Sequence, residues 1–332
     1  WIEAGRLREG SKIVLNDHRQ SVVEWSGRGS FGEGYLLGSF VGDGNFNRPK
    51  TGVHFGEVKV WERDLGSETV SKELMAHGCG LRHRSDWGGM RRTKRGYSVM
   101  NIGSLPTDWG LRPENKTDIK NLECSSKEFH VGFLRGVFDA DGSVDGSRTK
   151  GLSVRLTSVD RGMLVVVQRM LLRLGIMSRI YAGAKQTERL LPDGRGGKRL
   201  FPCKSTWRLC IHSGSTKDFA ELVGFANQRK QATLLRKMEG WKPYRVVFEA
   251  TVQSIEPAGK RIVWDMEVPG LQAFDANGFM VHNSEILLRI CQMCNLSEIV
   301  VRPEDTLESL CRKARIAAIR SEEHTSELQS QR

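Results

Sequence analysis

The stretch YLLGSFVGDGN, from Tyr35 to Asn45, returns in altered form as FLRGVFDADGS, from Phe133 to Ser143. In each, an apolar run at helical spacing ends at an aspartate followed by glycine, and strand-like sequence comes next. Asp43 and Asp141 occupy equivalent places, so one structural unit is copied once, over about residues 29–125 and 126–240. The second copy continues into the alternating strand LSVRLTS and the apolar-rich helix MLVVVQRMLLRLGI, closed by Gly175. Further on, Trp207 to Ser213 reads as a strand and Thr216 to Phe225 as a helix. Helices on one side of two related sheets make this an α+β architecture.

The glycines connect the repeat to chemistry. Gly38 and Gly42 clear one face of the first helix, and Gly136 does so in the second, so the two helices are able to pack backbone to backbone. That packing brings their C-terminal aspartates together, where each carboxylate faces the other and the negative ends of both helix dipoles. A divalent cation relieves both problems, and hard oxygen ligands suit Mg²⁺. Asp43 and Asp141 are therefore the candidate metal ligands, and in-line hydrolysis of a phosphodiester is the chemistry such a site serves. A lone Gly-Asp-Gly is an ordinary turn, and the paired occurrence is what points to function. Asp139 to Asp145 has the oxygen-rich look of a calcium loop. However, Val144 stands where that loop needs glycine and Lys150 where it needs glutamate.

Composition agrees with a nucleic-acid partner. The 332 residues carry a net charge of +12, and the basic excess lies ahead of Ser284. Arg82 to Arg95 holds six Lys/Arg against one Asp, and Arg195 to Arg208 holds five with no acid. The length predicts two or more structural units. The seven cysteines form no paired CxxC zinc pattern; Cys291 to Cys294 is an isolated CxxC. No apolar run reaches about 18 residues and no signal-peptide profile opens the chain, which predicts a cytoplasmic protein with no membrane partner. The chain opens on Trp1 rather than Met, which reads as sequence missing ahead of it. Residues 320–332 resemble a translated sequencing adapter and are set aside.

The two copies resemble the paired motifs of LAGLIDADG homing endonucleases, and the order around them resembles an intein carrying such an enzyme, over most of residues 7 to 283. The resemblance implies a pseudo-twofold endonuclease of αββαββα-type repeats over 29–240, with residues 1–28 as the end of an N-terminal splicing region and linker. It makes Asp43 and Asp141 the catalytic, metal-binding aspartates. It also places a catalytic lysine at Lys116 in LRPENKTDIK, without the family's usual following proline, and a second lysine in the other half at Lys217. The implied partner is double-stranded DNA at the host gene lacking the intein.

From Tyr244 to Asn283 the sequence reads as short strands, RVVFEATVQSIEP, KRIVWDMEV and AFDANGFMVHN, with turn residues at Glu256–Gly259 and Asp275–Gly278. This segment, residues 241–283, resembles the C-terminal part of an all-β Hint splicing domain. On that match Asn283 cyclises onto its own carbonyl, His282 assists, Ser284 accepts the upstream extein and Asp265 supports the upstream step. Gln272 stands where the family usually has a second histidine. The first splicing residue and its threonine-histidine block are absent, so splicing needs the missing N-terminal half and N-extein. Residues 284–319 resemble the active-site region of class II ribonucleotide reductases, with Cys294 as a reducing cysteine and adenosylcobalamin as the cofactor of the complete spliced host only. Two competing readings are a nucleic-acid-binding relic without nuclease activity and a working reductase fragment. Retention of both aspartates argues against the first, and the shortness of the host segment against the second.

Overall fold

The computed structural model describes residues 4–19, 25–47, 54–61, 64, 66–81, 89–147, 151–192, 197–257 and 273–282. They fall into two units, the larger over Asp17–Val247 and the smaller built from residues before and after it. Strand β1 (Lys12–Val14) belongs to the smaller unit. The first repeat then runs α1 (Phe31–Asp43), β2 (Gly44–Asn47), β3 (Phe55–Trp61), α2 (Ser67–Leu81), β4 (Met90–Arg92), β5 (Tyr97–Gly103) and the single turn α3 (Leu105–Asp108). The second runs α4 (Lys127–Asp141), β6 (Gly142–Ser147), β7 (Gly151–Ser158), α5 (Arg161–Arg173), β8 (Ser178–Ala182), β9 (Thr187–Pro192), β10 (Lys198–Cys203) and β11 (Trp207–His212). It closes with α6 (Gly214–Leu222) and α7 (Gln228–Met238).

The copying inferred from sequence extends to topology. The sheets are ordered β2-β3-β5-β4 and β6-β7-β11-β8, and every pairing is antiparallel. A long inner strand sits second in each sheet, and its alternation buries one face against the helices. Val58 and Val60 on β3, and Leu152, Val154 and Leu156 on β7, are all buried. The second copy differs by the ribbon β9–β10, which prolongs the β8–β11 hairpin through hydrogen bonds between residues 183–184 and Thr206.

Helices α1 and α4 form the seam. Ser30 and Glu33 close a capping box at the start of α1, and Ser126 caps α4 by accepting from Phe129 N–H. From Gly34 to Val41 every residue of α1 is buried, so this helix is apolar around its circumference, as an interior helix must be. Glycines explain how the two backbones touch. A Cβ on Gly34 or Gly38 would stand 2.2 or 2.1 Å from the carbonyl oxygen of Phe129 or Phe133. One on Gly132 or Gly136 would stand 2.1 or 2.3 Å from that of Phe31 or Tyr35. Around this seam Phe40, Phe129, Phe133, Phe138 and Phe219 are fully buried, each contributing on the order of 1.5–3 kcal/mol of burial.

One helix end differs from expectation and another meets it. Helix α6 stops at Leu222 rather than Phe225, because Gly224 adopts a positive φ and its N–H folds back to the Phe219 carbonyl. Helix α5 ends at Arg173, with Gly175 in the left-handed region two residues later.

His130 gives the larger unit an acid-sensitive core. It is fully buried on α4, its Nε2 donates to the Glu123 carbonyl at 3.2 Å, and Trp25 meets it edge-on. Burial first, then the Arg173 charge, push its pKa down to about 4 from the ordinary 6.5. The unfolded chain therefore takes up this proton at higher pH than the folded one. The contribution of His130 to stability is present above pH 6.5 and is lost as pH falls towards 4, about 3 kcal/mol in all. Denaturant melts at pH 7 and 4.5 check this: His130→Gln, which keeps a donor for Glu123, shows a smaller loss than the parent.

In the smaller unit β1 pairs antiparallel with β12 (Glu249–Thr251), and β13 (Ala273–Ala276) pairs with β14 (Phe279–His282). Asn277 and Gly278 both have positive φ, the conformation a two-residue hairpin turn needs, and Asp275 accepts the Gly278 N–H. Leu15 bridges Phe279, and Asn16 N–H donates to the Gly278 carbonyl, so residues 12–16 join the hairpin from the other end of the chain. Of RVVFEATVQSIEP only Glu249–Thr251 is strand, and KRIVWDMEV lies outside the described residues.

Candidate active site

Helices α1 and α4 run into their following strands without a loop. Gly44 and Gly142 are already extended, and a Cβ on either would stand 2.5 or 2.4 Å from the carbonyl of Phe40 or Phe138. This abrupt change of direction leaves Asp43 and Asp141 as the last helical residues, side by side at the end of the seam. Asp141 Oδ2 lies 3.4 Å from where a Gly42 Cβ would be. The Asp43 carboxyl is pushed up to about 6, by its packed surroundings first and the Asp141 charge second, against the pull of Lys116 and Lys230. Asp141 is raised as well, again by its packed surroundings. Both residues nonetheless have exposed edges, so a ligand has access to them.

Each helix end is met by one ammonium. Lys116 Nζ donates to the carbonyls of Gly44 at 2.7 Å, Gly42 at 2.8 Å and Phe40 at 3.3 Å. Lys230 Nζ donates to those of Asp139 at 2.6 Å, Phe138 at 3.2 Å and Ala140 at 3.4 Å. A cation on the unsatisfied carbonyls of a helix C-terminus is favourable electrostatically. Burial lowers the pKa of both lysines, and Asp43 and Asp141 oppose that shift. Lys116 is held by a turn between buried Leu111 and Ile119, with the Thr117 hydroxyl 2.5 Å from Asp160, the cap of α5.

The structure thus brings together Asp43, Asp141 and Lys116, and it adds Lys230 in place of Lys217. Lys217 stands on the solvent face of α6, paired with Glu221, because Ser215, Thr216 and Phe219 turn the other face inward. Lys217 follows Asp141 at nearly the interval at which Lys116 follows Asp43. Ribbon β9–β10 lengthens the second copy, so the equivalent place falls later, at Lys230. The available signal was Asn227, an N-cap residue, three positions ahead of a lysine.

Beside Asp43 and Lys230 a cavity of about 540 Å³ opens between β3, α2 and α7. The sheet faces turned away from the helices mix basic and polar residues with apolar ones such as Val99 and Trp61. Register places Arg155, Arg179 and Arg208 with Thr157 and Tyr181 on the second, and Lys59, Arg91 and Asn101 on the first. His282 ends β14 in the smaller unit; Asp265, Gln272, Asn283, Ser284 and Cys294 lie outside the described residues.

Residues 128–224 match the family described as LAGLIDADG-like domain. The chain carries a LAGLIDADG-like domain. The match spans α4 through α6; α1, which packs against α4, lies outside the matched residues. The chain is also 23% identical to ribonucleoside-diphosphate reductase NrdEB subunit alpha of Bacillus subtilis, over 93% of this chain and 30% of the relative. It is 31% identical to a DNA polymerase of Thermococcus hydrothermalis, over 48% of this chain and 9% of the relative. Alignment with two enzymes of unrelated chemistry gives the LAGLIDADG-like domain an inserted, intein-like setting. The chain spans about a third or less of these relatives' length. Among solved structures, a mesophilic variant of the homing endonuclease I-DmoI is 15% identical with a TM-score of 0.40, covering 62% of this chain and 97% of that one.

Proposed function

We propose that the chain is an intein segment whose central domain is a Mg²⁺-dependent, site-specific double-strand DNA endonuclease, carried in a ribonucleotide reductase host. The observation that carries this reading is the meeting of Asp43, Asp141, Lys116 and Lys230 at the joined ends of α1 and α4. Among the described residues no third His, Cys, Asp or Glu joins the aspartates to complete a metal cage. That donor set fits Mg²⁺, which keeps several waters and takes one or two carboxylates together with phosphate oxygens. When bound, the metal supplies charge neutralisation at the phosphate undergoing in-line displacement.

The chain's own residues do the rest. Asp43 and Asp141, exposed at one edge, orient the cation and the DNA backbone between the two halves. Lys116 and Lys230 hold positive charge beside the phosphates, and burial eases their proton exchange. The arginines and lysines of the outer sheet faces contact phosphates, while neighbouring side chains read bases. The names of the reductase and polymerase relatives support an element that inserts into genes of different function. In the smaller unit the hairpin ending at His282 would present Asn283 for cyclisation and Ser284 as acceptor, with Asp265 aiding the upstream step. Cys294 would belong to the reductase, whose class II assignment brings adenosylcobalamin only to the complete spliced host.

The test is to incubate the full chain with linear DNA carrying an uninterrupted reductase gene, with Mg²⁺ or with EDTA. The expected result is a Mg²⁺-dependent double-strand cut near the codons ahead of Ser284. Folded protein that binds this DNA without cutting it would overturn the endonuclease reading in favour of a binding relic.

A further inference from the structure

The two seam helices match at the aspartates but differ two residues earlier, where α1 has Val41 and α4 has Asp139. Asp139 is 6% exposed and its oxygens are occupied. Oδ2 accepts from the Tyr35 hydroxyl at 2.8 Å and Ala226 N–H at 3.1 Å, and Oδ1 accepts from Asn227 N–H at 2.9 Å. All three of these bonds are to the protein itself. Asp139 thereby holds the segment that begins α7. Asn227 caps that helix by accepting the Lys230 N–H at 3.1 Å, and Lys230 then reaches back to the Asp139 carbonyl at 2.6 Å. One residue therefore binds the start of α7 through its side chain and the lysine of α7 through its backbone.

The surroundings reinforce the same placement. Arg135 on α4 donates to the Val223 carbonyl at 2.7 Å, fixing the other end of the 223–227 loop. Gln228 N–H donates to Thr69 Oγ1 on α2 at 3.0 Å. The negative carboxylate also faces the positive N-terminal end of the α7 dipole. Lys116 has no such arrangement, since Val41 offers no acceptor and its own loop is held through Thr117 and Asp160.

We propose that Asp139 is the positioning residue for Lys230, so that the two lysines are held by unlike devices and one half of the site depends on a buried carboxylate that Tyr35 ties to the other repeat. The proposal rests on the endonuclease reading for its catalytic consequence and on the described geometry for its structural one. Each half of a pseudo-twofold site acts on one DNA strand, so a fault at Lys230 has a strand-specific signature. General damage to the fold has none.

The experiment follows nicking of each strand of a plasmid target by wild type, Asp139→Asn, Tyr35→Phe, Lys230→Met and Lys116→Met. Asp139→Asn, whose amide cannot accept all three donors, should slow the strand that Lys230→Met slows, by about 10²-fold, and let nicked circles accumulate. Lys116→Met should slow the opposite strand. Tyr35→Phe removes one donor of three and should show the same bias as Asp139→Asn more weakly. Should Asp139→Asn fold poorly, Thr69→Ala unhooks α7 from a half-buried edge and should show that bias. Equal slowing of both strands by the variants, or none, would overturn the proposal.

A second readout needs no cleavage. Amide hydrogen exchange in metal-free Asp139→Asn should rise across residues 226–232 and stay unchanged across 112–119. Wild type that cuts neither strand, with this exchange pattern present, would remove the endonuclease reading and leave the positioning of Lys230 standing. An unchanged pattern would overturn the positioning itself.

Discussion

Asp43→Asn should slow DNA cleavage by about 10³-fold or more while the protein stays folded and bound to its target. Asparagine keeps the size of the side chain but lacks the charge that holds a divalent cation. The basic sheet faces proposed to bind phosphates are untouched, so binding measured with Ca²⁺ in place of Mg²⁺ should keep its affinity and salt dependence. The same substitution should make the metal-free protein more stable at neutral pH. The Asp43 carboxyl is raised to about 6 by its packed surroundings and by Asp141, so its ionisation opposes folding. The folded state holds this proton to higher pH than the unfolded chain, whose carboxyl titrates near 3.8. The penalty is therefore absent at low pH, develops as pH rises from about 4 through 6, and is complete above that window. Thermal melts in EDTA should show the variant's advantage at pH 7.5 and its disappearance at pH 3.5. A variant that cuts at the parental rate, or that is no more stable at neutral pH, would contradict the paired-carboxylate site.

Gly38→Ala should be among the most damaging single methyl additions in the larger unit. The new Cβ would stand 2.1 Å from the Phe133 carbonyl oxygen and 2.9 Å from the Val137 nitrogen, both backbone atoms of α4. No side-chain rotation relieves that overlap, so α1 and α4 must separate and loosen the aromatic core around them. Overpacking of this severity costs about 3 kcal/mol, which for a unit of this size lowers Tm by roughly 6–12 °C. Gly42→Ala provides the contrast. There the nearest atom is the Ala140 side-chain Cβ at 2.4 Å, so a second change, Ala140→Gly, should restore most of the loss. Calorimetry of the two single variants and the double variant checks both expectations. A Gly38→Ala protein melting within about 2 °C of the parent would show that the seam yields more easily than its geometry implies.

Much of the larger unit was legible because it is written in local spacing. The apolar runs, the Asp-Gly endings and the stop at Gly175 depend on residues within a few positions of one another, and the duplication made each reading check the other. Lys116 could be placed through resemblance to a family motif, and the Asn277-Gly278 turn through the backbone conformation those residues tolerate. Lys230 was not legible in the same way. Ribbon β9–β10 shifts it along the second copy, while Lys217 falls near the interval of the first. Phe225 reads as helical until Gly224 turns the chain back, and that turn sets the loop that Asp139 grips.

By itself the sequence determined that this protein is a duplicated α+β unit with two glycine-cleared helices ending in aspartates, on a strongly basic chain. Those properties follow from periodicity, missing side chains and charge, all of which are readable along one dimension. Only the tertiary structure decided which lysine meets the end of the second seam helix, and that Asp139 turns inward beneath it rather than outward to join Asp141. Its three donors come from Tyr35, Ala226 and Asn227, far away in the chain, and a buried carboxylate is tolerated only where such partners converge.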